Sequence, residues 1–255
     1  MALTDNLISY WKLDEASGNA ADAHGSNTLT DNNTVTNGTG LVYGTARQFA
    51  AASDESFSLA DNASLSTGDI DFTFAAWVNA ADLSTYRTIL NKDNGSAWEY
   101  QLYYATGPDR FQWYVESAGG AGDVNADVLG SPSINTWYFI VAWHDATANT
   151  INIQVNDGTV DSEAYTFGVR DGSGAFYLGR ETTANASDME GRIGPVMFWK
   201  RVLTAGERTS LYNSGAGLAY ASFGGGAAGH PAVKRAGGVR FMHGGPNNLS
   251  HGNIW

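Results

Sequence analysis

One amphipathic helix closing a long run of strands is the feature that most constrains this chain. Met189–Gly215 reads as a strand carrying Ile193, Val196 and Phe198, a turn, a helix from Thr204 to Asn213, and a stop at Gly215. Thr204 supplies an N-cap oxygen and Glu207 stands three residues on, which is capping-box spacing. Leu203 precedes the cap, and Leu211 and Tyr212 give the helix its apolar side. No other stretch reads as a convincing helix, so strands must supply the core.

The strands are legible from alternation. Leu7–Leu13 opens the series, and short strands follow at Ala46–Phe49 and Phe57–Leu59. Asp14–Thr39 reads as loops around one short strand at most. In Asp71–Asn79, Phe72, Phe74, Ala76 and Val78 point one way, and Thr73, Ala75 and Trp77 the other. Further strands are expected at Thr88–Lys92, Trp98–Tyr104, Arg110–Glu116, Asp123–Leu129, Trp137–His144, Thr150–Asn156, Ser162–Phe167 and Ala175–Gly179. Lys92-Asp93-Asn94-Gly95 and Asn156-Asp157-Gly158 are turn chemistry between them. The fold expected is all-β: a two-sheet antiparallel jelly-roll sandwich with one short C-terminal helix and an extended C-terminal tail. The sandwich is assigned to residues 1–219 and a Gly-rich basic extension to 220–255.

Charge excludes some partners. All 26 acidic residues lie before Arg208, with 10 of the 14 Lys and Arg; Arg208, Lys234, Arg235 and Arg240 are the other four. An acidic body argues against nucleic acid or an anionic membrane as the ligand. No stretch is apolar and long enough to span a bilayer, and the opening MALTDNLISYWKLDE has no basic or apolar leader segment. There is no cysteine, so no disulfide supports the fold.

Trp11-Lys-Leu-Asp14 resembles the opening strand of the laminin-G-like jelly rolls in the concanavalin A-like lectin and glucanase superfamily. Phe72–Val78, Trp137–Asp145, Ile151–Gly158 and Gly191–Asn213 fall in the same order as in that family, over roughly residues 5–215. Where such domains often carry Ile-Asp-Glu-Val, this chain has Ile193-Gly-Pro-Val196, so a metal role of that acid does not carry over. A Pro there implies an edge or a bulge.

Three chemistries are weighed. Glucan-cleaving relatives use Glu-x-Asp-x-x-Glu on one strand, and no such string exists here. Glu99 and Glu116 stand on different strands with nothing to assign them acid and nucleophile roles, so no catalytic residues are expected. A structural calcium is the one cofactor considered: the resemblance places a metal-prone loop at Asp22–Asn27, with Asp22 and Asn27 as ligands, and Asp188 and Glu190 as a second pair. Carbohydrate binding is the third. Trp77, Phe139 and Trp143 share an outward phase, and Tyr103, Gln112, Tyr114 and Asn152 are placed in the same phase. Rings beside amides are what a sugar site uses. The same face could instead pack against the tail or a neighbouring chain.

The tail has its own composition, with Gly224-Gly-Gly226 as a hinge. Lys234, Arg235, Val239, Arg240, Phe241 and Trp255 are expected to anchor it to other protein subunits or to another copy of the chain. The function expected is a non-enzymatic binding or decoration module on a larger assembly, a phage virion surface component made in the host cytoplasm, with a surface glycan as ligand. The alternatives are a carbohydrate-binding module of an extracellular multidomain protein and, behind it, a glucan hydrolase.

Overall fold

The computed structural model describes residues 1–182 and 187–224. Its strands are β1 (Leu7–Trp11), β2 (Thr30–Asn32), β3 (Thr36–Thr39), β4 (Thr45–Phe49) and β5 (Ser56–Leu59). They continue as β6 (Phe72–Ala80), β7 (Arg87–Asp93), β8 (Trp98–Ala105), β9 (Arg110–Ser117) and β10 (Gly120–Asn125). The last are β11 (Tyr138–Asp145), β12 (Thr150–Val155), β13 (Asp161–Ala164), β14 (Ala175–Leu178) and β15 (Gly191–Trp199), before the helix α1 (Ala205–Tyr212).

All pairings are antiparallel, in two sheets. The eight-stranded sheet runs β13-β12-β11-β6-β15-β4-β3, with β1 also on β15. The seven-stranded sheet runs β10-β9-β8-β7-β14-β5-β2. This is the sandwich expected from the sequence. Asp14–Thr39 holds two short strands rather than one: β2 joins β5 and β3 joins β4, in different sheets. Their sequences, TDN and TNGT, carry no hydrophobic alternation to read.

Pro195 sits where its chemistry requires. Ile193 pairs with Val78 but Val196 pairs with Ala76, so three steps on β15 oppose two on β6. That bulge leaves the Pro without a ladder bond to donate. It also divides the far edge of β15 between β4 at Gly191–Ile193 and β1 at Val196–Trp199.

The core lies between the sheets. Phe74 stacks on Phe198 at 4.3 Å and meets Tyr100 at 4.9 Å, with Phe72 and Trp113 beside them. Ile140, Ala142 and His144 face this core as alternation predicts, and His144 Nδ1 pairs with the Ile70 carbonyl at 2.9 Å.

Candidate functional site

The outward residues of the eight-stranded sheet form a second apolar cluster instead of a binding surface. Phe139 lies opposite Trp77, and Trp143 opposite Asn152, so these share a face as expected. They are nonetheless 1%, 2%, 6% and 6% exposed, because the chain after β15 packs over them. Helix α1 begins with the predicted capping box: Thr204 Oγ1 accepts from the Glu207 amide, and the Glu207 carboxylate accepts from the Thr204 amide. Arg201 grips the same carboxylate with two bonds of 2.8 Å and donates to the Asp5 carbonyl, tying the helix start to the N-terminus.

The helix then lays Leu211 and Tyr212 on the sheet. Tyr212 stacks on Trp77 (6.0 Å) and on Phe139 (6.2 Å), and the Arg208 guanidinium sits 4.5 Å over Trp143 while donating to Gln154. Gly217 adopts φ +71° and passes so close that a Cβ would lie 2.5 Å from Val42 Cγ2 and 3.0 Å from Trp77 Nε1, so any larger residue is strained there. Tyr220 and Phe223 finish the cover on Tyr10 (5.0 and 5.2 Å). Trp77, Phe139, Trp143 and Asn152 are therefore corrected from ligand face to interior. The packed chain reaches Phe223, past the 219/220 boundary read from the sequence.

Tyr103, Gln112 and Tyr114 lie on the other sheet. The expectation that they share one face with Trp77 merged the two outer faces of the sandwich. Cross-strand register puts Gln101 opposite Tyr114, Tyr103 opposite Gln112, and Asp123 opposite Tyr114. The Tyr103 hydroxyl donates to Gln112 Oε1, and Gln112 Nε2 donates to Asp123 Oδ2 (2.5 Å). Gln101 Nε2 donates to Glu181 Oε1 (2.6 Å). The Tyr114 hydroxyl donates to Glu116. Tyr86 is 44% exposed and stacks on Tyr103 at 6.1 Å. Burial holds both phenols, Tyr103 and Tyr114, well above their usual range, with neighbouring carboxylates adding, so both stay neutral hydroxyls.

The arrangement offers flat rings and two accessible carboxylates on a partly open sheet surface, with the Gln101 and Gln112 amides buried between them. Sequence reading missed Tyr86, Asp123 and Glu181. Each lies off the clean alternation, in a turn or on an edge strand, and only pairing brings them to the site.

The remaining candidates, Asp188 excepted, are spoken for. Asp22 Oδ1 accepts from the amides of Tyr10, His24 and Gly25, and Oδ2 from that of Asn27. Asn27 Oδ1 accepts from Asn62 and Ser64, and its amide donates to Ser9. Converging N–H donors are the opposite of a calcium cage, and this donor set does not fit the ion. Glu190 accepts from the Ala51 amide. Asp188 is fully buried with neither oxygen in hydrogen-bond geometry among the described residues. Burial pushes its carboxyl up to about 7; Arg180 opposes this and Asp54 adds to it. Among the described residues no three acidic, His or Cys groups are placed to share a metal.

Glu99 is buried and accepts from Lys92 (2.7 Å), Thr67 and Gly172, while Glu116 accepts from Arg170 (3.0 Å). The tail candidates Lys234, Arg235, Val239, Arg240, Phe241 and Trp255 lie outside the described residues.

Residues 51–207 match the family model described as the concanavalin A-like lectin/glucanases superfamily. No curated protein sequence matches the chain. Solved structures with the same fold include the binding domain of Paraclostridial Mosquitocidal Protein 1, at TM-score 0.68 and 16% identity over 83% of this chain and 53% of that one. Domain 4 of AbnA, a GH43 extracellular arabinanase from Geobacillus stearothermophilus in complex with arabinotriose, matches at TM-score 0.61 and 15% identity, over 84% and 98%. The binding domain of botulinum neurotoxin serotype G matches at 0.62 and 16%, over 81% and 50%. The chain thus spans about half the length of the two toxin binding domains and nearly all of the arabinanase domain.

Proposed function

The chain belongs to the concanavalin A-like lectin/glucanase superfamily, and from that membership we propose that it is a non-enzymatic glycan-binding module whose ligand lies on the outer face of the seven-stranded sheet. The observation that carries this reading is the contrast between a sealed aromatic face and a second face that keeps Tyr86, Tyr103 and Tyr114 within reach of solvent, with Gln112 buried among them. Rings and hydrogen-bonding side chains together are the recurrent make-up of small-ligand sites. The arabinanase domain supports the reading by analogy, since its complex holds a sugar and the chain spans nearly all of it. Hydrolysis is disfavoured because it needs two carboxyls with divided roles, whereas Glu99 is buried under donors and Glu116 is paired with Arg170.

The module is displayed on a larger assembly, a phage particle in our reading, through the segment after Gly224. That segment carries Lys234, Arg235 and Arg240 and no acid, against a strongly acidic body, so attraction to an acidic partner is built in.

Titration against a panel of soluble polysaccharides tests the binding reading. One or more should bind, and Tyr103→Ala and Tyr114→Ala should each weaken that binding about tenfold, which is about 1.4 kcal/mol, with a near-normal melting profile. Absence of binding across the panel, or release of reducing sugar from a bound glycan, defeats it. Truncation after Gly224 should leave a folded module that no longer joins its assembly; normal assembly would remove the anchoring part alone.

A further inference from the structure

Resting on the binding reading above, we propose that this face takes a neutral, hydroxyl-rich glycan and rejects glycans carrying uronic, sialic or sulfate groups. An anionic sugar group is held by charged donors or by several unspent N–H groups. The cations of this sheet and its loops are already committed. Lys92 is sealed beneath the sheet against Glu99 (2.7 Å) and Asp61 (3.0 Å). Arg87 is buried on Asp82 and on the Asp188 carbonyl. Arg110 pairs with Asp127, Arg170 with Glu116, and Arg180 is drawn to Asp188 while donating to the Glu181 carbonyl.

The amides are engaged and buried as well: Gln112 donates to Asp123 and Gln101 to Thr88 and Glu181, at 9% and 6% exposure. What the face presents instead is negative charge. Asp123 is exposed and Glu181 half-exposed. Asp123 also continues into a groove with Asn125, Asp127, Asp161, Ser162 and Glu163 at the sandwich edge. Each carboxylate has lone pairs left for sugar hydroxyls to donate to, while the Tyr86–Tyr103 pair offers a ring face. An incoming carboxylate or sulfate meets like charge with nothing to offset it.

The test is an array of glycans in matched pairs that share a backbone, such as lactosamine with its sialylated form and xylan with glucuronoxylan. Binding should favour the neutral member of a pair at least about tenfold at low salt. The double variant Asp123→Asn, Glu181→Gln should narrow that preference, and so should raised salt. Equal or tighter binding of acidic members overturns the inference and leaves the binding reading standing. Unchanged discrimination in the double variant also overturns it, because the face carboxylates would not be the cause. Binding to no member of any pair overturns both.

Discussion

The two outer faces of the sandwich show how the same strand alternation reaches different ends. On the eight-stranded sheet the outward set is Ala75, Trp77, Phe139, Val141 and Trp143, and α1 with the segment to Phe223 covers it. On the seven-stranded sheet the outward set includes Gln101, Tyr103, Gln112, Tyr114 and Asp123, and among the described residues no helix covers it. An apolar face loses free energy for each exposed ring, about 25 cal/mol per Å², so it must be covered. A polar face whose side chains satisfy one another can stay in reach of water. Aromatic residues on an outward strand phase therefore do not identify a binding face. Whether a second element covers them decides.

The largest break in this contrast should come from Trp77→Ala, expected to cost about 3–5 kcal/mol by opening a cavity beneath Tyr212. Chemical denaturation reads it, and a loss below 1 kcal/mol would show that the helix does not seal the face. Asp188→Asn sharpens the contrast differently, because Asp188 is a buried polar group without a hydrogen-bond partner among the described residues. Its raised carboxyl means the folded state holds the proton more tightly than the unfolded state. Its contribution to stability is therefore fully present below the ordinary carboxylate range and is lost as pH rises toward about 7. The advantage of the variant over the parent should widen by on the order of 2–3 kcal/mol between pH 5 and pH 8; a gap that does not grow with pH removes the explanation.

Thr204→Ala deletes the N-cap of the covering helix and should cost about 1 kcal/mol, measured as a lower melting temperature. Smallest is Tyr114→Ala, half-exposed on the open face, expected to change stability by less than about 1 kcal/mol. A loss comparable to that of Trp77→Ala would make the seven-stranded face structural.

The sequence by itself determined most of the strand series, the capping box at Thr204 and Glu207, the irregularity at Pro195 and the phase of β6 and β11. These are local signals, carried by period-two alternation and by residues with restricted backbone or capping chemistry. It also assigned Phe139 and Trp143 correctly to the phase opposite Ile140 and Ala142. It did not determine the phase of β1, where a register shift puts Leu7 and Trp11 in different clusters. Only the tertiary structure decided which strands share a sheet. It separated Trp77 from Tyr103 and Tyr114, and it spent the oxygens of Asp22 and Asn27 on hydrogen bonds within the chain. Alternation records that a side chain points to one of two sides, but not what lies on that side. That depends on pairing between residues far apart in the chain and on where α1 docks, through contacts such as Tyr212 on Trp77 and Arg201 on Asp5.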